Sequence, residues 1–206
     1  MMLYDYSSAP PPRDLELIPI GTVASVQLRI RPGGAGEGGL LKRSKDGACE
    51  MLDLECVLVD GPYARRKFWT NLVLEGTTPG HAQAVEISRG VLRGILESAR
   101  GIKPDDLSDQ ARARRTAELK DFDNIIFVAR IGVEKGKPRN DGSGESYPDK
   151  NVIAVIITPD KKDWHPVDQP PPFNGGSGAG ATVAPSSPSP DPAAPPTPGV
   201  KKPVWA

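Results

Sequence analysis

The residues of this 206-residue chain best suited to chemistry are two cations and an aromatic spaced two apart, Arg65, Lys67 and Trp69 in ARRKFW. In an extended segment this spacing puts all three on one side and Phe68 on the other. A guanidinium or ammonium neutralises phosphate. An indole face stacks on a nucleobase, a contact worth about 1–3 kcal/mol per base. The opposite assignment, with Trp69 in the core and Phe68 exposed, uses the same alternation, and Trp69 packed under a loop is a further alternative. Arg29 and Arg31 in QLRIR repeat the pattern, where they either bind phosphate or solvate an open strand. Two glycine-rich stretches add cations: Lys42, Arg43 and Lys45 in the first, and Lys135, Lys137 and Arg139, with Tyr147, in the second. Little else in the chain has reactive spacing. His81 and His165 stand apart from each other and from any nucleophile. Cys49 and Cys56 fall on one strand, too far apart to bridge, and neither has a histidine at metal-ligand spacing. No phosphate-binding glycine loop, nucleophile elbow or carboxylate pair is present. The chain is therefore expected to bind rather than catalyse, with no metal or cofactor.

Period-two alternation marks five runs that would position these residues: Ile18–Ile30, Cys49–Val59, Lys67–Leu74, Ile125–Val133 and Val152–Thr158. The second puts Leu52, Leu54, Cys56 and Leu58 on one face and Asp53 and Glu55 on the other. A helix near Ala82–Arg100 separates the third run from the fourth. Its stripe is Val85, Ser88, Val91, Leu92, Ile95, Leu96 and Ala99, with Arg89, Arg93 and Glu97 outside and Gly101 as C-cap. The order predicts a mainly β fold, a five-stranded OB-fold-like barrel with one helix between strands three and four. Asp105–Asp121 is helix-compatible but nearly devoid of apolar residues, so it is expected on the surface or partly disordered. Its Arg112, Arg114 and Arg115 are either phosphate contacts or a solvated face. Both glycine-rich stretches, one within Pro32–Gly47 and the other within Glu134–Lys150, are expected to be long loops flanking the binding side of such a barrel. The first should be mobile and without regular structure.

The 23 prolines and a hydrophobic share of 37% divide the chain into a flexible arm (1–14), a globular body (15–168) and a disordered Pro/Gly/Ser/Ala-rich tail (169–206). No run reaches membrane-spanning length and no secretory signal pattern is evident at the start, which implies a cytoplasmic protein. The 26 basic and 26 acidic residues cancel, so a polyanion ligand would need the cations sorted onto one face.

Three segments, GPYARRKFW (Gly61–Trp69), ILESARGI (Ile95–Ile102) and the run from Phe122 to Val133, resemble a phage-encoded family of proteins similar to single-stranded-DNA-binding proteins, found near replication and recombination genes. The resemblance spans about Pro19 to Pro159. It implies an OB-like barrel that engages single-stranded DNA in a bacterial host, with Arg65, Lys67 and Trp69 on the strand meeting nucleotides; RNA is the alternative strand. It also suggests a replication or recombination partner for the tail. Bacterial proteins of that type commonly end in an acidic tip, whereas this tail carries Lys201 and Lys202 beside Trp205. The competing expectation is an OB-like adaptor that presents its proline-rich tail to a protein, without nucleic acid.

Overall fold

The computed structural model describes Ser8 and residues 16–139 and 143–170; the proposed tail from 171 onward and nearly all of the proposed arm lie outside the described residues. The elements are β1 (Val23–Ile30), β2 (Lys42–Arg43), β3 (Cys49–Leu58), β4 (Lys67–Gly76), α1 (Pro79–Arg100), α2 (Asp109–Arg115), β5 (Ile126–Glu134) and β6 (Lys150–Ile156).

One antiparallel sheet of six strands holds the molecule together, in the order β2-β3-β1-β5-β6 with β4 on the free edge of β3. The register between β3 and β4 is the longest, from Cys49↔Gly76 to Val57↔Lys67, with a bulge between Glu50 and Met51. The sheet does not close: β4 and β6 run near each other without a hydrogen-bonded ladder among the described residues. Helix α1 packs against β4, β5 and β6 and covers this opening. A Cβ at Gly94 would meet Ile156 Cδ1 at 3.2 Å, so the helix seats closely against β6.

Alternation explains the core. Val26, Leu28, Leu52, Leu54, Cys56, Leu58 and Phe68 face inward with α1's Ile95 and Leu96, joined by Phe127 and Ile131 of β5. Burial pushes the Cys56 thiol up to about 12, keeping it protonated and chemically quiet. Thr78 caps α1, its hydroxyl accepting from the His81 N–H at 3.2 Å, and Pro79 opens the helix. Gly101 ends it in the left-handed conformation at φ 62°, as the sequence implied.

Three expectations change. The first run is not one strand: Gly21 at φ +89° breaks it, and β1 starts at Val23. Ile18 remains fully buried, clamped by Asn151, which accepts from the Ile18 N–H and donates to its carbonyl, both at 2.9 Å. The stretch Pro32–Gly47 has regular structure after all, a 3₁₀ turn at Glu37–Gly39, an Ala35↔Leu41 bridge and β2. Its glycines allow close packing, since a Cβ at Gly33 would lie 2.5 Å from the Lys42 Cα. Glu97 points inward rather than outside and is 4% exposed, gripped by Arg93 and Arg115 at 2.8 Å each. Asp105–Asp121, as expected helix-compatible and largely on the surface, holds α2, capped by Ser108 and seated by its one buried residue, Ala111. Arg115 is thereby a structural ion-pair partner.

Past β6 the chain forms a strap that the strand pattern did not reveal. Trp164 donates from Nε1 to the Ser98 carbonyl at 3.1 Å, and Asp163 pairs with Arg130 at 2.8 Å. Gln169, assigned by composition to the tail, belongs to the ordered body. Its Oε1 accepts from the Ile126 N–H (3.0 Å) and its Nε2 donates to the Ile126 carbonyl (2.6 Å), capping a stretch of β5 edge that β6 leaves open.

Candidate nucleic-acid interface

Register builds the candidate face. Arg29 of β1 stands opposite Glu55 of β3, which stands opposite Trp69 of β4. One row over, Gln27, Val57 and Lys67 align in the same way. Arg31 and Lys42 reach the same surface through Asp53, at 3.6 and 3.2 Å. Trp69 is 50% exposed and Phe68 is 3% exposed, which selects the first of the two assignments of this strand.

The cations on this face outnumber its acids. Asp53 is shared by Arg31 and Lys42, and Glu55 pairs with Lys67 at 3.0 Å. Arg29 donates to the neutral side chain of Gln27 at 3.3 Å and has no acid partner among the described residues. The cations of these pairs are about half exposed while their acids are largely buried, so a phosphate would share the cations rather than strip them from Asp53 and Glu55. The face is a mixed one, positive by surplus around a single indole.

Arg65 lies just outside it, in the turn before β4 rather than on the strand. Its N–H donates to the Leu58 carbonyl at 2.7 Å and its φ is +69°, the left-handed region. A side chain there costs about 1–2 kcal/mol, which glycine would avoid. Gly61, at φ +72°, provides the positive φ expected for the start of this turn.

The remaining candidates sit elsewhere. Arg43 points to the other side of β2, where it grips Glu50 at 2.6 Å. Lys45 is exposed in the turn between β2 and β3. The second glycine-rich stretch is a β5–β6 hairpin arm, bridged at Pro138↔Ser146, in which nearly every cation has its own acid. Lys135 pairs with Asp149 at 2.8 Å and Arg139 with Glu145 at 3.1 Å. The Arg139 guanidinium also lies 5.4 Å from the Tyr147 ring centroid, so one face of that exposed ring is already occupied. Lys137 is exposed and has no acid partner among the described residues. The expectation of two basic loops flanking one groove thus weakens on the hairpin side.

His165, which looked isolated in sequence, is not. Its Nε2 lies 3.0 Å from Ser25 Oγ, and the same hydroxyl donates to Asp60. Asp60 Oδ1 also accepts the Ser25 N–H at 3.0 Å. Only the fold could bring these three together, because Ser25 and His165 are 140 positions apart. The order is wrong for nucleophile activation: the carboxylate holds the serine and not the far ring nitrogen, and Ser25 is 4% exposed. The cluster fastens the strap to β1 and to the turn after β3. The His81 ring packs against Gly76, and its buried Nδ1 has no hydrogen-bond partner among the described residues.

Among the described residues no cluster of three or more His, Cys, Asp or Glu could hold a metal ion, and no helix is long and apolar enough to cross a membrane. The fold and face define a class, an open antiparallel β domain with a basic-aromatic sheet surface. Compared with protein-family models, curated proteins and solved structures, the chain matches none.

Proposed function

We propose that this protein binds single-stranded nucleic acid, DNA in the first instance, with little sequence preference, in a phage or prophage replication or recombination setting within the bacterial cytoplasm. The observation that carries the reading is Trp69, half-exposed at the end of a ladder row with Arg29 and beside Lys67. Single-strand binders combine such an aromatic platform with cations that follow the backbone. The pairing of β1 with both β3 and β5, β4 on β3, and β6 on β5, with α1 over the opening, supports an OB-type Greek-key barrel that is incompletely closed. Arg29, Arg31, Lys42 and Lys67 act as phosphate contacts and Arg65 extends them at the turn. The protein acts as a binder and not an enzyme, and the tail recruits a replication or recombination partner.

The adaptor reading keeps one specific support, the acids Asp53 and Glu55 in the middle of the face, which a protein surface could match as well as a phosphate backbone. Titration with fluorescent oligo-dT decides. Each neutralised phosphate contributes about −0.7 to the log–log salt slope, so four to six contacts give roughly −3 to −4. Binding that is undetectable at low salt, or equal for duplex and single strand, overturns the proposal and favours the adaptor.

A further inference from the structure

Positive charge that the sheet face does not use collects where α1 ends and α2 packs on it. Arg100 donates from Nη1 to the carbonyls of Arg114 (2.6 Å) and Thr116 (3.1 Å). Arg114 returns the contact, donating from Nη2 to the Arg100 carbonyl. Each guanidinium therefore lies against the backbone beside the other, and neither forms a salt bridge among the described residues. Neutral carbonyls fix both forks without cancelling their charge. Most of the five N–H donors on each fork stay available, in the planar geometry that suits a phosphate.

The corner's other charges are largely committed. Glu97 is buried between Arg93 and Arg115. Asp106 accepts the Ser108 N–H at 3.0 Å and sits in the field of Arg115 and Arg114, which, after its Ser108 bonds, hold its carboxyl below the usual range. Asp109 is fully solvated, 3.8 Å from Arg112. Asp105 and Lys103 are exposed.

We propose that Arg100 and Arg114 form a phosphate clamp, a second contact for the same nucleic-acid strand, an inference that rests on the single-strand reading above. Continuity with the face supports it. One side-chain amide, Gln169 Nε2, donates both to the Ala99 carbonyl (3.2 Å) and to the Ile126 carbonyl (2.6 Å). Ile126 is in register with Gln27 at the edge of the candidate face. Gln169 thus ties Ile126, at the edge of the face, to Ala99, the residue before Arg100. The clamp also gives Arg114, read from the sequence as either phosphate contact or solvated charge, a ligand of defined class.

The test uses the full chain and the double substitution Arg100→Gln/Arg114→Gln, which keeps an amide donor for each carbonyl and removes both charges. Binding is titrated with oligo-dT of about 6 and about 30 nucleotides, near the lower end of and well above the ~4–16 that one OB-type face covers. The long oligomer should show a salt slope shallower by about 1.4, two contacts' worth, and the short one none. A long-oligomer slope equal to wild type overturns the clamp, as does an equal loss at both lengths with a lowered melting temperature. Lys103→Glu, whose side chain supports neither helix end, should weaken only the long oligomer; no length dependence there also counts against the clamp. If the wild-type chain binds neither oligomer, the sheet-face reading falls first, and the clamp falls with it.

Discussion

The sheet face at Trp69 and the β5–β6 hairpin arm read alike in sequence, each a few cations around an aromatic. In three dimensions they differ. On the sheet, the strand ladder lines up Arg29, Arg31, Lys42 and Lys67 against two carboxylates, leaving surplus charge and an open ring. On the arm, Lys135 and Arg139 each find an acid within the same hairpin, and Arg139 covers one face of Tyr147. Whether a basic-aromatic segment is available to a ligand therefore depends on what its own fold already pairs with it. Composition alone does not say.

The largest expected effects divide one strand of the face into its two sides. Phe68→Ala removes a ring that is 3% exposed and should lower stability by about 3–5 kcal/mol, read from denaturant unfolding. Trp69→Ala should leave the melt nearly unchanged and weaken oligo-dT binding by about 1–3 kcal/mol, with no change in salt slope because no phosphate contact is lost. Tyr147→Ala should cost much less affinity, since its ring already has a cation on it. Equal losses for Trp69→Ala and Tyr147→Ala would break the contrast between the two regions.

A smaller effect comes from the turn that feeds the strand. Arg65→Gly relieves a left-handed residue, so the melting temperature should rise by the equivalent of about 1 kcal/mol. The salt slope should become shallower by about 0.7, one phosphate contact. Stability and binding moving in opposite directions would mark the position as one where strain is retained for function. A lowered melt would instead mean that the Arg65 side chain has a structural role.

What could be read from the sequence follows from the range of each interaction. The strands, the helix with its Gly101 cap and the outward side of Trp69 come from local alternation, which a one-residue slip would invert for a whole strand. The periodicity puts Glu97 outside because its partner Arg115 lies on another helix, and a charged residue at that helical position ordinarily faces water. The Ser25–Asp60–His165 fastening and the Gln169 cap link distant segments, so no spacing rule points to them. The glycines of Pro32–Gly47 looked like freedom and serve contact instead, because the sequence does not show what will pack against a missing Cβ. The pairing of Lys135 with Asp149 was closer to hand, 14 positions apart across one hairpin.

That pair gives the smallest prediction and the finest test of the comparison. The Lys135 ammonium, followed by the Gly136 N–H at 3.0 Å, holds the Asp149 carboxyl below its usual range, and Asp149 in turn holds Lys135 above its own. A depressed carboxylate contributes stability above its unfolded value of about 3.9, lost as pH falls through the lower folded value. A raised ammonium contributes below about 10.4, lost as pH rises through the higher folded value. Between those limits the arm should be insensitive to pH. The Gly136 amide resonance should move on acidification with a midpoint below about 3.9. Lys135→Ala should bring that midpoint back toward 3.9 and leave the oligo-dT salt slope untouched, because this cation is already spoken for. A slope that falls by about 0.7 in Lys135→Ala would show that the nucleic acid takes the ammonium from Asp149. The arm would then belong to the binding surface as fully as the sheet face does.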